Sequence, residues 1–202
     1  MAYEVVFFDL GGVVVDVESD RLMHQLSQLI GKSFEDVQAA VYHKELLLPF
    51  ELGQIAARAY YEGLKGQLKF SWTYEQFVRG WTGIFSENLE VRQIMERVRK
   101  RHKLLALTNT NTLHLEYIKT QVTAAPLFHD WVASCEVGYR KPDPQIYLAA
   151  LERAGNIRPQ QAVYIDDRPE LVEAGREVGL TAIRFENGRQ LEADLRAAGV
   201  NI

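Results

Sequence analysis

Apolar positions along the chain fall into two rhythms. Tyr3-Glu4-Val5-Val6-Phe7-Phe8 is short, β-branched and aromatic, which predicts a strand buried on both faces. It stops at Asp9, and Gly11-Gly12 then punctuate the chain. From about Arg21 the period becomes helical, with Leu22, Leu26, Leu29 and Ile30 on one face. Further helical patterns fall at residues 37–41, 55–64 and 74–81, and nothing between about 17 and 86 predicts a strand. Beyond that point strands and helices alternate. A helix carries Val91, Ile94, Met95 and Val98, and a strand follows at 104–107. Next come a helix at 113–121, a strand at 131–133 and a helix starting near Pro142, since proline suits a first turn. The last elements are a strand at 162–165, a helix at 169–178 closed by Gly179, and a strand at 181–185. Such alternation predicts an α/β fold whose parallel sheet is covered on both faces.

Composition narrows the partners. The chain has 202 residues, 47% of them hydrophobic, which suffices for one core with a modest insert. A net charge of -4 disfavours nucleic acid, which needs a basic face. The local basic cluster Arg97, Arg99, Lys100, Arg101 and Lys103 reads as a solvated helix C-terminus. Cys135 is the single cysteine, so no intrachain disulfide forms, and its flanks Val132, Ala133 and Val137 place it in a core strand. The five histidines lack zinc-site spacing. No signal peptide fits and no run is long enough to span a bilayer. The expectation is a cytoplasmic protein, a monomer or weak homodimer, with neither membrane nor nucleic acid as partner.

Candidate chemistry collects where the strands end. Ligands of open parallel sheets bind beyond the carboxyl ends of the strands. Asp9 follows the first strand, Thr108 and Asn109 the second, and Asp166 and Asp167 the strand at 162–165. A loop between them carries Arg140-Lys141-Pro142. Three carboxylates in one cleft repel one another unless a cation sits among them, and oxygen ligands of this kind suit Mg²⁺. Lys141 adds a fixed positive charge for a phosphate and keeps Asp9 ionised. The Thr108 hydroxyl and backbone N–H groups nearby suit phosphate oxygens. A carboxylate can then act as nucleophile and form an aspartyl-phosphate. Gly11-Gly12 lacks the further glycine of a dinucleotide fingerprint.

These residues carry a resemblance. Phe7-Phe8-Asp9-Leu10-Gly11-Gly12-Val13-Val14, Leu107-Thr108-Asn109, Lys141-Pro142 and Ile165-Asp166-Asp167 resemble the four ordered motifs of the haloacid dehalogenase superfamily. The helical stretch after the first motif resembles that superfamily's small cap. Asp9-Leu10-Gly11, Thr108-Asn109-Thr110-Asn111, Arg140-Lys141-Pro142, Phe77 and Gly80-Trp81 are similar to a branch of sugar-phosphate phosphatases that includes α-D-glucose-1-phosphate phosphatase. The resemblance implies a Rossmann-like parallel sheet core over residues 1–16 and 87–202, with an inserted all-helical cap over 17–86. It implies a Mg²⁺-dependent phosphatase of a small phosphorylated metabolite. Asp9 is then nucleophile and metal ligand, the Gly11 carbonyl and Asp167 are further ligands, and Asp166 supports the metal directly or through water. Thr108 and Lys141 hold the phosphoryl group, together with Leu10, Gly11 and Asn109.

One position departs from the pattern. Most phosphatases of this superfamily carry a second Asp two residues after the nucleophile, as the acid and base for the leaving group; here Gly11 stands there. General acid–base help is worth roughly 10²–10⁴-fold. A substrate with a good leaving group, such as a sugar-1-phosphate, tolerates its loss. Alternatively Asp16, or preferably Glu51 in Phe50-Glu51-Leu52-Gly53, replaces it. A third reading is 2-haloacid dehalogenase chemistry, which needs no metal and against which the Asp166-Asp167 pair argues. A fourth is a weakly active binding or regulatory protein. Phe50, Phe77 and Trp81 are read as core before substrate platform.

Overall fold

The computed structural model describes residues 3–202. Its centre is a five-stranded sheet built from β1 (Val5–Phe8), β4 (Lys103–Thr108), β5 (Asp130–Ala133), β6 (Ala162–Asp166) and β7 (Thr181–Arg184). The spatial order is β5-β4-β1-β6-β7, and every pairing is parallel. β1 lies in the middle. From it the chain builds outward through β4 and β5 on one side, then through β6 and β7 on the other. The direction of winding therefore reverses at β1, and a crevice opens beyond its carboxyl end.

Period-two alternation sorts the strand residues between two faces. Val6, Phe8, Leu104, Ala106, Val163 and Ile165 pack on one face, against α6 (Leu89–Val98), α7 (Thr112–Gln121) and α11 (Gly188–Ala198). Val5, Phe7, Leu105, Leu107, Ala162 and Tyr164 pack on the other, against α9 (Pro144–Arg153) and α10 (Pro169–Val178). Gly179 ends α10 in the left-handed conformation, as its position predicts.

Five helices follow β1 in sequence: α1 (Ser19–Ile30), α2 (Phe34–Val41), α3 (Lys44–Glu51), α4 (Ala57–Leu68) and α5 (Tyr74–Thr82). They bury a separate aromatic-rich cluster that includes Phe50, Tyr60, Phe77 and Trp81. α5 starts with a full capping box between Thr73 and Gln76. The chain enters and leaves this layer through a two-stranded antiparallel ribbon, β2 (Val15–Val17) and β3 (Phe85–Glu87).

Several sequence expectations change. The ribbon replaces featureless connections, because two three-residue strands are too short to show a period. Cys135 lies on a one-turn helix, α8 (Ser134–Val137), rather than in a strand, because β5 has already ended at Ala133. The helix expected near Pro142 starts at Pro144, with the Asp143 side chain capping it by accepting from the Gln145 N–H. Pro142 instead follows a cis bond from Lys141. Helices α3 and α11 are additional. No helix among the described residues is long and apolar enough to cross a membrane.

Candidate active site

The residues named from strand ends meet in the crevice beyond β1. Lys141 is at its centre and only 1% exposed. Its Nζ lies 2.9 Å from the Leu107 carbonyl, 2.6 Å from Asp166 Oδ2 and 3.0 Å from Asp9 Oδ1. An ammonium has three protons, and here each has an acceptor. Asn109 fixes the loop that delivers this lysine: its side-chain amide donates to the Lys141 carbonyl and accepts from the Lys141 N–H, both at 2.8 Å. The Asn109 side chain thus holds Lys141, where the sequence had assigned it to phosphate.

Asp9 is buried just past the end of β1. Its Oδ1 accepts from Lys141 and from the Leu10 N–H at 2.8 Å. Leu10 is expected from sequence to bind phosphate; its N–H is turned onto the nucleophile candidate and its side chain is in the core. Burial pushes the Asp9 carboxyl up to about 6; Lys141 pulls it down and Asp166 pushes it up again.

Asp166 is fully buried and fully engaged. Oδ2 accepts from Lys141 and from the Tyr164 hydroxyl, and Oδ1 from the Arg168 N–H at 2.9 Å. Tyr164 escaped the sequence reading. Its signal was present, because Tyr164 and Asp166 are two apart on one strand and so share a face. The ring also lies under the Lys141 ammonium, 5.4 Å from its centroid.

Asp167 is half-exposed, and burial followed by the Asp166 charge raises its carboxyl above the usual range. Asp9, Asp166 and Asp167 each offer an oxygen, all within 4.8 Å of one another. Gly12 makes room for this approach. Its φ is +79°, and a Cβ there would sit 2.5 Å from Asp167 Oδ2. Three carboxylates around one ammonium are short of positive charge, and their hard oxygens fit Mg²⁺. Thr108, buried at the end of β4, lines the same cleft with Gly11, Asp16, Asn109, Asp167 and Arg168.

Gly11 differs from Gly12. A Cβ on Gly11 would lie 3.2 Å from a Val17 methyl, so the space next to the nucleophile is bounded by an apolar side chain. Glu51 ends α3 and lines an adjoining pocket that shares Val17 and Asn109 with the carboxylate cleft. Its Oε2 pairs with Arg140 at 3.0 Å, and burial raises its carboxyl while Arg140 and Arg168 pull it down. The Ser134 hydroxyl donates to the Glu51 carbonyl at 2.7 Å, and Gly53 packs on the Cys135 carbonyl so closely that a Cβ would be 2.1 Å away. The end of α3 is thus seated on the strand layer. Asp16, the other candidate acid, is exposed on β2. Phe50 and Phe77 are core residues, whereas Trp81 also faces the adjoining pocket.

A family model described as haloacid dehalogenase-like hydrolase matches residues 3–179. The chain is 25% identical to a D-ribitol-5-phosphate phosphatase of Bacteroides thetaiotaomicron over 199 residues, covering 94% of this chain and 95% of the relative. It is 27% identical to a phosphorylated carbohydrates phosphatase of Thermotoga maritima, covering 89% and 83%. Among solved structures, a HAD family enzyme of B. thetaiotaomicron in complex with magnesium and inorganic phosphate matches with a TM-score of 0.83. That match has 20% identity and covers 93% of this chain and 96% of the other, a likeness of fold.

Proposed function

This chain belongs to the haloacid dehalogenase-like hydrolase family, and on that basis we propose that it is a Mg²⁺-dependent phosphatase of small phosphorylated carbohydrates. The observation that carries this reading is the buried Lys141 ammonium held between Asp9 and Asp166, with Asp167 alongside. Curated relatives named as phosphatases of ribitol 5-phosphate and of phosphorylated carbohydrates support the substrate class. The paired Asp166 and Asp167 favour this reading over dehalogenation, which uses no metal.

Asp9, Asp167 and the Gly11 carbonyl would hold the metal, with Asp166 behind them. Bound there, Mg²⁺ supplies charge that offsets repulsion between a carboxylate nucleophile and a phosphate dianion. The remaining work falls to the chain. Leu10 N–H and Lys141 orient the Asp9 carboxylate. A phosphoryl oxygen beside Asp9 shares the Lys141 proton that faces Asp9, and the Thr108 hydroxyl takes another oxygen. The Asp9 oxygen forms a bond to phosphorus as the ester oxygen leaves. Glu51, whose carboxyl burial raises above the usual range, gives that oxygen a proton. Water then gives a proton back to Glu51 and attacks phosphorus of the aspartyl-phosphate, inorganic phosphate departs, and Asp9 and Glu51 are both restored.

The test is phosphate release from a sugar-phosphate panel, glucose 1-phosphate and ribitol 5-phosphate included, with Mg²⁺ or with chelator. Turnover is expected only with the metal, and Asp9→Asn is expected to lower it by at least about 10³-fold with the fold intact. Full turnover in Asp9→Asn sinks the mechanism.

A further inference from the structure

Tyr164 carries a buried hydroxyl that the mechanism leaves unused. Its side chain has no exposed surface, so it acts on the cleft only through the groups it touches. The hydroxyl donates to Asp166 Oδ2, the same oxygen that takes a Lys141 proton at 2.6 Å. The ring lies under the Lys141 ammonium, 5.4 Å from Nζ to its centroid. One tyrosine thus contacts both members of the ion pair behind the nucleophile.

Neighbouring elements hold the ring in place. Tyr147 of α9 meets it edge-on, with centroids 5.5 Å apart, and the Tyr147 hydroxyl donates to the Leu171 carbonyl of α10 at 2.9 Å. Gly175 of α10 gives the ring its room, since a Cβ there would lie 2.7 Å from Tyr164 Cδ1. Phenylalanine would fill the same space without burying a hydroxyl, which costs free energy unless it is bonded. The bond to Asp166 offsets that cost, and it falls on the oxygen that holds the lysine.

Lys141 hangs between two carboxylates, 2.6 Å from Asp166 and 3.0 Å from Asp9. The nearer one attracts it more strongly, whereas the reaction needs its charge at Asp9 and at the phosphoryl group. Oδ2 of Asp166 has two lone pairs, and Tyr164 occupies one of them. The phenol proton draws electron density from that oxygen and weakens its pull on Lys141. We propose that Tyr164 is a positioning residue for phosphoryl transfer: its hydroxyl restrains Asp166 from drawing Lys141 away from Asp9. This inference rests on the phosphatase reading, because it needs a phosphoryl group beside Asp9 and Lys141.

The experiment measures hydrolysis of saturating p-nitrophenyl phosphate with Mg²⁺, inhibition by orthovanadate, which mimics the transferring phosphoryl group, and the Mg²⁺-induced shift in thermal unfolding. Tyr164→Phe keeps the ring and removes the hydroxyl alone. A misplacement of about 1 Å costs up to about 10²-fold in rate. In this variant kcat is expected to fall about tenfold to a hundredfold, orthovanadate to bind more weakly by a similar factor, and the Mg²⁺ shift to stay as in the parent. Gly175→Ala, which crowds the ring from α10, is expected to lower kcat severalfold by the same route. Tyr3→Phe removes a hydroxyl 3.0 Å from Thr181 Oγ1 at the far end of the sheet and is expected to keep full kcat. Parent-like kcat in either Tyr164→Phe or Gly175→Ala, or a lower kcat with unchanged orthovanadate inhibition, makes Tyr164 a core residue only and overturns the proposal, while the phosphatase reading stands. A Mg²⁺ shift lost together with kcat places its effect on the metal and overturns the proposal too. No hydrolysis of this ester or of any sugar phosphate by the parent overturns both readings.

Discussion

At the residue scale, the cleft is organised around charge. Lys141 meets two carboxylates and a carbonyl, while Tyr164 and the Arg168 N–H complete the shell of Asp166. A buried ion pair is tolerated when its remaining lone pairs and protons are satisfied, and that condition is met here. In the proposed mechanism Gly11 leaves the leaving group without an acid two residues after Asp9, and Glu51, which lines the adjoining pocket, is proposed to replace it. Burial raises its carboxyl above the usual range against the pull of Arg140 and Arg168, a direction that suits an acid. Glu51→Gln is therefore expected to lower kcat by about 10²-fold or more on alkyl phosphates, and far less on p-nitrophenyl phosphate, whose leaving group needs no proton. Equal rates for the variant and the parent on alkyl phosphates would remove Glu51 from the mechanism.

At the element scale, legibility followed length. β1, β4 and β6 are unbroken apolar runs between chemistry-bearing ends, so both strands and site residues could be read directly from them. The β2–β3 ribbon has three residues on each side and shows no period. Pro49 lies inside α3, and an interior proline argues against a helix, so the sequence predicts none there. Asn109 follows its strand as the sequence predicts, but only coordinates show that its amide holds Lys141 and that the Leu10 N–H holds Asp9. No pattern in the chain announces that Trp81, Asn111 and His114 join α5 to α7, because the three residues come from two distant helices. That junction is expected to weaken in acid. Burial depresses His114 from 6.5 to about 4. A group depressed on folding stabilises the native state above its unfolded value, and this contribution fades as pH falls through 6.5 toward 4. His114 is a half-buried residue, so the loss is about 1–3 kcal/mol, less than the full displacement. Urea unfolding at pH 7 and pH 4.5 is expected to show the parent losing that much more stability than His114→Gln. Equal losses in the two proteins would contradict the assignment.

At the scale of the whole molecule, two cores face each other across the site. The sheet side carries Asp9, Lys141, Asp166 and Asp167, and the helical layer carries Glu51 and most of the pocket wall. The end of α3 is joined to the sheet side through Ser134 and Arg140. A cation held at Asp9 and Asp167 binds the folded chain alone, so it raises stability by mass action. At a hundred times Kd the gain is about 2.7 kcal/mol. Thermal unfolding is expected to shift upward by several degrees with Mg²⁺ in the parent, and to shift much less in Asp167→Asn. An identical shift in both would place the metal elsewhere.

The covalent role of Asp9 is the centre of this account, and it can be read directly. The enzyme is mixed with Mg²⁺ and a hydrolysed sugar phosphate, quenched in acid during turnover and treated with borohydride, which reduces an acyl phosphate to the alcohol. Peptide mass spectrometry is expected to find homoserine at position 9 and aspartate at 166 and 167. Unmodified aspartate at position 9, with phosphate released at full rate and a substitution-competent quench verified on acetyl phosphate, would contradict nucleophilic catalysis by Asp9.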